Sequence, residues 1–169
     1  MSNKGKKGEM IVSEIVSKMG RVDGSSVDFK RPSITNTADN GIDLWLTHNE
    51  DHLREMVEIS QGCRSDFSDP KSYEGKKIDT RIDVKSYSGK INKPVAEKFV
   101  SDIAKSPLIE GHLLIGGQGL TKGAKDVLEN ATDNYPKKKI GYISSEGVER
   151  IKKAVDRQLN HQDDKKIGY

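Results

Sequence analysis

From Thr80 to Leu159 the chain alternates short apolar runs with amphipathic helical ones, and this alternation limits its possible folds more than any other feature. Thr80 to Tyr87 reads as a strand. After Ser88-Gly89, Pro94 suits the first turn of a helix whose stripe is Val95, Ala96, Phe99, Val100 and Ile103, with Pro107 beyond its end. His112 to Ile115 is an apolar strand closed by Gly116-Gly117-Gln118-Gly119. Thr121 is placed to cap a helix through Ala124, Val127, Leu128 and Ala131. Lys139 to Ser144 is a further strand, and Val148, Ile151, Val155 and Leu159 mark a last amphipathic helix. Crossover units of this kind build parallel sheet covered on both faces. The expected class is α/β, with a central mixed β-sheet flanked by helices on both faces.

The first half is less regular. Residues 1–8 are polar and basic and read as a flexible arm. Val12, Ile15, Val16 and Met19 recur at helical spacing, with Gly20 as the stop. Val27 to Pro32 alternates weakly, Ser33 to Gly41 has turn composition, and Ile42 to Thr47 is a strand candidate. With Thr80 to Tyr87, these make three early strands suited to a meander. Within residues 48–80, Leu53, Met56 and Val57 fit a short helix, while Val57 to Ser60 fit a strand equally well. Gly62 to Lys77 is polar and reads as an exposed insertion, and residues 160–169 read as a polar tail. The expected organisation is one domain over residues 9–159.

Composition narrows the setting. One cysteine, Cys63, excludes an internal disulfide and a cysteine-based zinc cluster. No apolar run is long enough to span a membrane, and the N-terminus has no apolar signal core, so an intracellular, soluble protein with no membrane partner is expected. Net charge is only +3 in a chain that is 33% charged, but the lysines cluster. Lys85, Lys90, Lys93 and Lys98 follow one another closely, and Lys137 to Lys139 form a run. Local basic patches of this sort attract polyanions.

The chemistry is concentrated in Arg81-Ile82-Asp83-Val84-Lys85-Ser86. Residues two apart on a strand share a face, so Asp83 and Lys85 are neighbours. Asn40-Gly41-Ile42-Asp43 adds an acid near the start of the preceding strand. An acid, then acid-x-lysine on the next core strand, is the minimal equipment for Mg²⁺-dependent cleavage of a phosphodiester. Each residue also has a plainer reading: Asp43 as a turn residue, and Asp83 with Lys85 as an ordinary surface ion pair. His48, His52, His112 and His161 lack metal-ligand spacing, and His112 reads as a locally satisfied packing residue. The glycine loop 116–119 lacks the Gly-Lys-Ser/Thr ending of a nucleotide-binding loop. Trp45 reads as core.

Taken in order, these elements resemble the PD-(D/E)xK, or restriction-endonuclease-like, nucleases, and most closely the Mrr-type endonuclease domains and archaeal Holliday-junction resolvases. The resemblance runs from about Lys7 to Val155. Glu9 followed by Gly20 matches the family's first helix, Gly41-Ile42-Asp43-Leu44 its first acidic strand, and Asp83-Val84-Lys85 its acid-x-lysine strand. Leu113-Leu114-Ile115-Gly116 and Thr121-Lys122-Gly123-Ala124 match the strand and helix that follow in Mrr-type members. Asp83 stands where glutamate is commoner, and residues 48–80 lengthen the spacer between the two acids.

The resemblance implies a restriction-endonuclease-like core and a metal-dependent DNA endonuclease. Asp43 and Asp83, with the Val84 carbonyl as a third ligand, would hold Mg²⁺, for which Mn²⁺ can substitute. Lys85 would orient or deprotonate the attacking water, or pair with the phosphate, and Glu9 would complete the site. Lys90, Lys93, Lys98, Lys122 and Lys125 would contact the DNA backbone. A structure-specific nuclease for branched DNA, acting as a symmetric dimer, is an alternative, as is a catalytically silent nucleic-acid-binding protein on the same fold. So is an interaction protein that uses residues 48–80, and target choice could come from a protein partner.

Overall fold

The computed structural model describes residues 4–30 and 42–167, leaving aside the side chains of residues 4–7, 9, 30, 42, 43, 166 and 167. Among the described residues, five α-helices and five strands follow in the order α1 (Lys4–Gly20), β1 (Asp28–Lys30), β2 (Ile42–Asn49), α2 (Glu50–Ser60), β3 (Lys77–Lys85), α3 (Lys93–Ala104), β4 (Gly111–Gly116), α4 (Lys122–Asn134), β5 (Lys139–Ile143) and α5 (Ser145–Ile167), with one 3-10 turn at Pro70–Ser72. The sheet order is β1-β2-β3-β4-β5. The first three strands are antiparallel and the last three parallel, which makes an α/β mixed sheet.

Alternation along each strand decides which helices cover which face. Leu44, Leu46, Ile78, Ile82, Val84, Leu113 and Ile115 point to one side, where α1, α2 and α5 pack on them through Val12, Ile15, Val16, Met19, Leu53, Met56, Ile59, Ile151 and Val155. Leu114 points to the other side, under α3 and α4, with Ala96, Phe99, Ile103, Ala124 and Leu128. Strand β4 is buried on both faces, which is why it reads as a continuous apolar run. Asn92 and Thr121 cap α3 and α4 by accepting from the amides of Val95 and Ala124.

Three segments differ from the sequence expectation. Helix α1 begins at Lys4, inside the stretch expected to be an arm. Helix α5 continues to Ile167, through most of the expected tail. Residues 48–80, expected to be an insertion, contribute core elements: β2 extends to Asn49, β3 begins at Lys77 and α2 packs into the core, while the residues 62–76 between them are mostly exposed. Helix wins over strand there because Asn49 caps it, accepting from the Asp51 amide, and because His52, Leu53, Met56 and Ile59 share one buried face.

The segment after α2 is held to it by a buried carboxylate. Glu55 is almost fully buried and accepts from the Ser68 amide (2.9 Å), the Ser68 hydroxyl (2.6 Å) and the Tyr73 hydroxyl (2.7 Å), with Arg64 at 3.1 Å. Burial alone would raise this carboxyl, but the bonds from Ser68 and Tyr73, with the Arg64 charge beside them, outweigh it and hold Glu55 below the ordinary value. His52 lies beside this network against the rings of Phe67 and Tyr73. Burial, with His48 nearby, pushes its imidazole down to about 4.

Candidate active site

Strand β3 enters the sheet centre as Lys77–Lys85, and its odd-numbered residues face α3 and α4. Asp79 is exposed, whereas Arg81, Asp83 and Lys85 are each no more than 3% exposed. The Lys85 ammonium lies 3.4 Å from one Asp83 oxygen, and the Arg81 guanidinium 3.8 Å from the other. Asp83 and Lys85 are therefore neighbours, as their spacing requires, but they form a buried row and not an exposed surface pair.

Arg81 is the residue the sequence reading left unassigned. Its Nε donates to His112 Nδ1 (3.3 Å), its Nη2 to the Phe99 carbonyl (3.3 Å), and its guanidinium lies 4.9 Å from the Phe99 ring centre. Because guanidinium nitrogens only donate, His112 Nδ1 must accept, so the proton sits on Nε2 and is donated to the Ile109 carbonyl. Burial, then the Arg81 charge, pushes His112 down to about 4, in keeping with a neutral ring. His112 is thus a satisfied packing residue that orients Arg81. The signal for Arg81 was present: it is two residues before Asp83, on the same strand face.

Backbone pairing brings the second acid alongside. Asp43 is the register partner of Asp83, in a run that pairs Trp45 with Arg81 and Ile42 with Val84. The Asp43 side chain lies outside the described residues, as does that of Glu9. Glu9 follows Gly8 in α1, and Gly8 abuts the end of β3 so closely that a Cβ there would collide with Ser86. Val84 is paired with Ile42 on one side and Ile115 on the other; a carbonyl oxygen has two lone pairs, so ladder pairing leaves it able to accept again. Among the described residues, no group of three or more His, Cys, Asp or Glu is placed to hold a metal. The described donors are the Asp83 carboxylate and the Val84 carbonyl, oxygens of the kind that a hard cation such as Mg²⁺ takes.

The row lies at the carboxyl end of the parallel strands, the end where open α/β sheets bind ligands. Lys85 is paired there with Gly116, whose φ is 131° and at which a Cβ would overlap the Lys85 carbonyl oxygen. The glycine loop that follows folds back on the protein. The Gln118 amide donates to the Gly89 carbonyl and the Gly119 amide to the Tyr142 hydroxyl, so neither amide is directed at a phosphate. A cavity of about 370 Å³ opens beside this end on the opposite face, between α1 and α5, lined by Gly8, Val12, Ser86, Tyr87 and Val148 among others.

The lysines divide by position. Lys90, Lys93, Lys122 and Lys125 are exposed. Lys93 opens α3 and packs against Gly123 in the first turn of α4, where a Cβ would lie 3.2 Å from that of Lys93. The two helix N-termini, with their lysines, therefore converge beside the end of β3. Lys98 lies further along α3 and bonds Asp102 at 2.9 Å. The 137–139 run is remote: Lys138 donates to the Pro107 and Ile109 carbonyls, and Lys139 pairs with Gly111 at the opposite end of the parallel strands.

Trp45 corrects the sequence expectation of a core position. It is 38% exposed, on the half of the sheet that α3 and α4 leave uncovered; among the described residues, none from β2 belongs to the cluster beneath those helices. No helix of the described residues is long and apolar enough to cross a membrane. No protein-family model matches the sequence, and no curated protein matches it.

Proposed function

We propose that the chain is a metal-dependent DNA endonuclease that hydrolyses phosphodiester bonds on a restriction-endonuclease-like core. One observation carries the reading: Asp83 and Lys85 lie side by side in a buried row, register-opposed to Asp43, at the sheet end where two helix N-termini and four exposed lysines meet. Burying charges is costly, and a row of this kind at a ligand-binding edge is more characteristic of a working site than of a structural one.

Asp83 and Asp43, with the Val84 carbonyl, would hold Mg²⁺, which supplies charge neutralisation and an acidified water when bound. The remaining chemistry belongs to the chain. Lys85 places a positive charge on the substrate side of Asp83, where it orients the attacking water or the phosphate. Arg81, fixed by His112 and the Phe99 carbonyl, holds the other Asp83 oxygen and so sets the direction of the carboxylate. Lys90, Lys93, Lys122 and Lys125 bind the DNA backbone in the field of the two helix N-termini. Glu9, which follows Gly8 where α1 abuts Ser86, is the further acid that the resemblance assigns to the site.

The test is incubation with supercoiled, linear, single-stranded and branched DNA in Mg²⁺, Mn²⁺ or EDTA. Cleavage with either metal, lost in EDTA and in Asp83→Asn, is expected. Lys85→Ala should cost far more in rate than in affinity, because a single phosphate contact contributes little to binding. A second reading, DNA binding without cleavage, draws on the two cations already paired with Asp83. Metal-independent binding with no product from any substrate would select it.

A further inference from the structure

We propose that Trp45 is a stacking platform for an unpaired nucleobase, so that the DNA bound on this face carries an unstacked base, either in a single strand or extruded from a duplex. The inference rests on the nuclease reading of the Asp83–Lys85 row and adds to it the class of substrate.

The indole is out of place for a core residue. Its chain neighbours Leu44 and Leu46 are 0% and 2% exposed, while Trp45 is 38% exposed on the other side of the strand. A lone exposed aromatic proves nothing by itself; what gives this one a role is the order of groups around it. Trp45 is the register partner of Arg81, whose guanidinium lies beside Asp83. Diagonal neighbours on antiparallel strands lie about 7–8 Å apart, which puts Trp45 one step from the Asp83 carboxylate. On its other side the register sets Lys30 of β1 opposite Trp45 itself, Asp28 opposite Thr47 and Thr47 opposite Asp79, with the Thr47 hydroxyl donating to Asp79 at 2.6 Å.

From the exposed lysines this face therefore runs past the buried Lys85 and Asp83 to an exposed aromatic ring, which has Lys30 in register across from it on β1 and Asp79 one step further along β3. A group that stacks on Trp45 is flat and apolar on its face, and under the nuclease reading it is linked to a phosphate near Asp83. A nucleobase has these properties. Bases inside a blunt duplex are stacked on one another and offer no free face, whereas aromatic platforms beside cationic tracks are how single strands are held.

Trp45 is the only tryptophan in the chain, so tryptophan emission, excited selectively over the five tyrosines, reports on this face alone. The full chain is titrated in EDTA with oligothymidine, a blunt duplex of equal length, and that duplex with one bulged thymine. Oligothymidine should quench the emission and the blunt duplex should leave it unchanged. Quenching by the bulged duplex as well assigns extruded bases to the site, and its absence restricts the site to single strands. By anisotropy of a labelled oligothymidine, Trp45→Ala should bind roughly 5- to 150-fold more weakly. Trp45→Phe should stay close to wild type, with the salt slope unchanged in both because no phosphate contact is removed. Equal quenching by blunt duplex, wild-type affinity in Trp45→Ala, or emission that changes on dilution of the protein alone would overturn the proposal, the last by assigning the face to self-association. A chain that is quenched but never cleaves DNA with metal refutes the nuclease reading and leaves the platform standing. A chain that cleaves without quenching refutes the platform alone.

Discussion

Asp83→Asn should both abolish cleavage and destabilise the fold, and the second effect follows from the geometry alone. The substitution keeps the side-chain volume and removes the negative charge between two buried cations, Lys85 at 3.4 Å and Arg81 at 3.8 Å. With an effective dielectric constant of about 20, each attraction at these distances is about 4–5 kcal/mol before desolvation. Removing one member of a buried pair costs about 3–5 kcal/mol. The low end applies here, because Arg81 keeps its hydrogen bonds to His112 and to the Phe99 carbonyl. A loss of about 3 kcal/mol corresponds to a fall in melting temperature of about 6–12 °C for a chain of this size. Urea denaturation followed by circular dichroism reads the loss directly. In a cycle with Lys85→Met, the double variant should recover about 1–3 kcal/mol relative to the summed single effects. An Asp83→Asn protein within about 0.5 kcal/mol of wild type would refute the buried row; one that cleaves normally with Mg²⁺, assayed well below its melting point, would refute the site.

Replacing Lys90, Lys93 and Lys122 together with glutamine should lower the slope of log affinity against log salt by up to about 2.7. Lys98→Gln, which removes a lysine already paired with Asp102, should leave the slope nearly unchanged, and an equal effect from Lys98 would place the DNA track along α3. Glu55→Gln should cost about 2–4 kcal/mol in urea denaturation, because Arg64 loses its buried partner while the Ser68 and Tyr73 donors face a weaker acceptor; a cost like that of a surface substitution would refute the clamp. Stability should also fall on acidification. His52 and His112 are held near 4 in the folded protein but take up protons near 6.5 when unfolded, so the unfolded state binds more protons as pH drops from about 6.5 to about 4. Glu55, depressed in the fold, adds to the loss as pH falls through its own range. Urea midpoints that stay level between pH 7 and pH 4.5 would contradict this.

Much of the fold was legible because its signals are local. The buried stripes of α1, α3, α4 and α5 recur at helical spacing, and Thr121 and Gly20 mark element ends through backbone chemistry that needs no distant partner. The pairing of Asp83 with Lys85 was legible for the same reason, since a strand puts i and i+2 on one face wherever it lies. Helix α2 was ambiguous because its buried face includes His52 and Glu55, polar residues that break the apolar count. They are tolerated there only because Ser68 and Tyr73, from beyond the helix, satisfy the carboxylate.

The sequence by itself determined the class of structure and the chemical content of the row: α/β alternation, an acid two residues from a lysine, and a second acid on the preceding strand. Tertiary structure alone decided that this row is buried, that Arg81 joins it through His112 and Phe99, that the N-termini of α3 and α4 meet beside it while Lys137 to Lys139 lie at the far end, and that Trp45 faces outward. The physical reason is that a residue's periodicity records which face of its own element it occupies. What covers that face is set by strand order and register, which in β2 and β3 join residues 28 to 42 positions apart and leave no local trace in the chain.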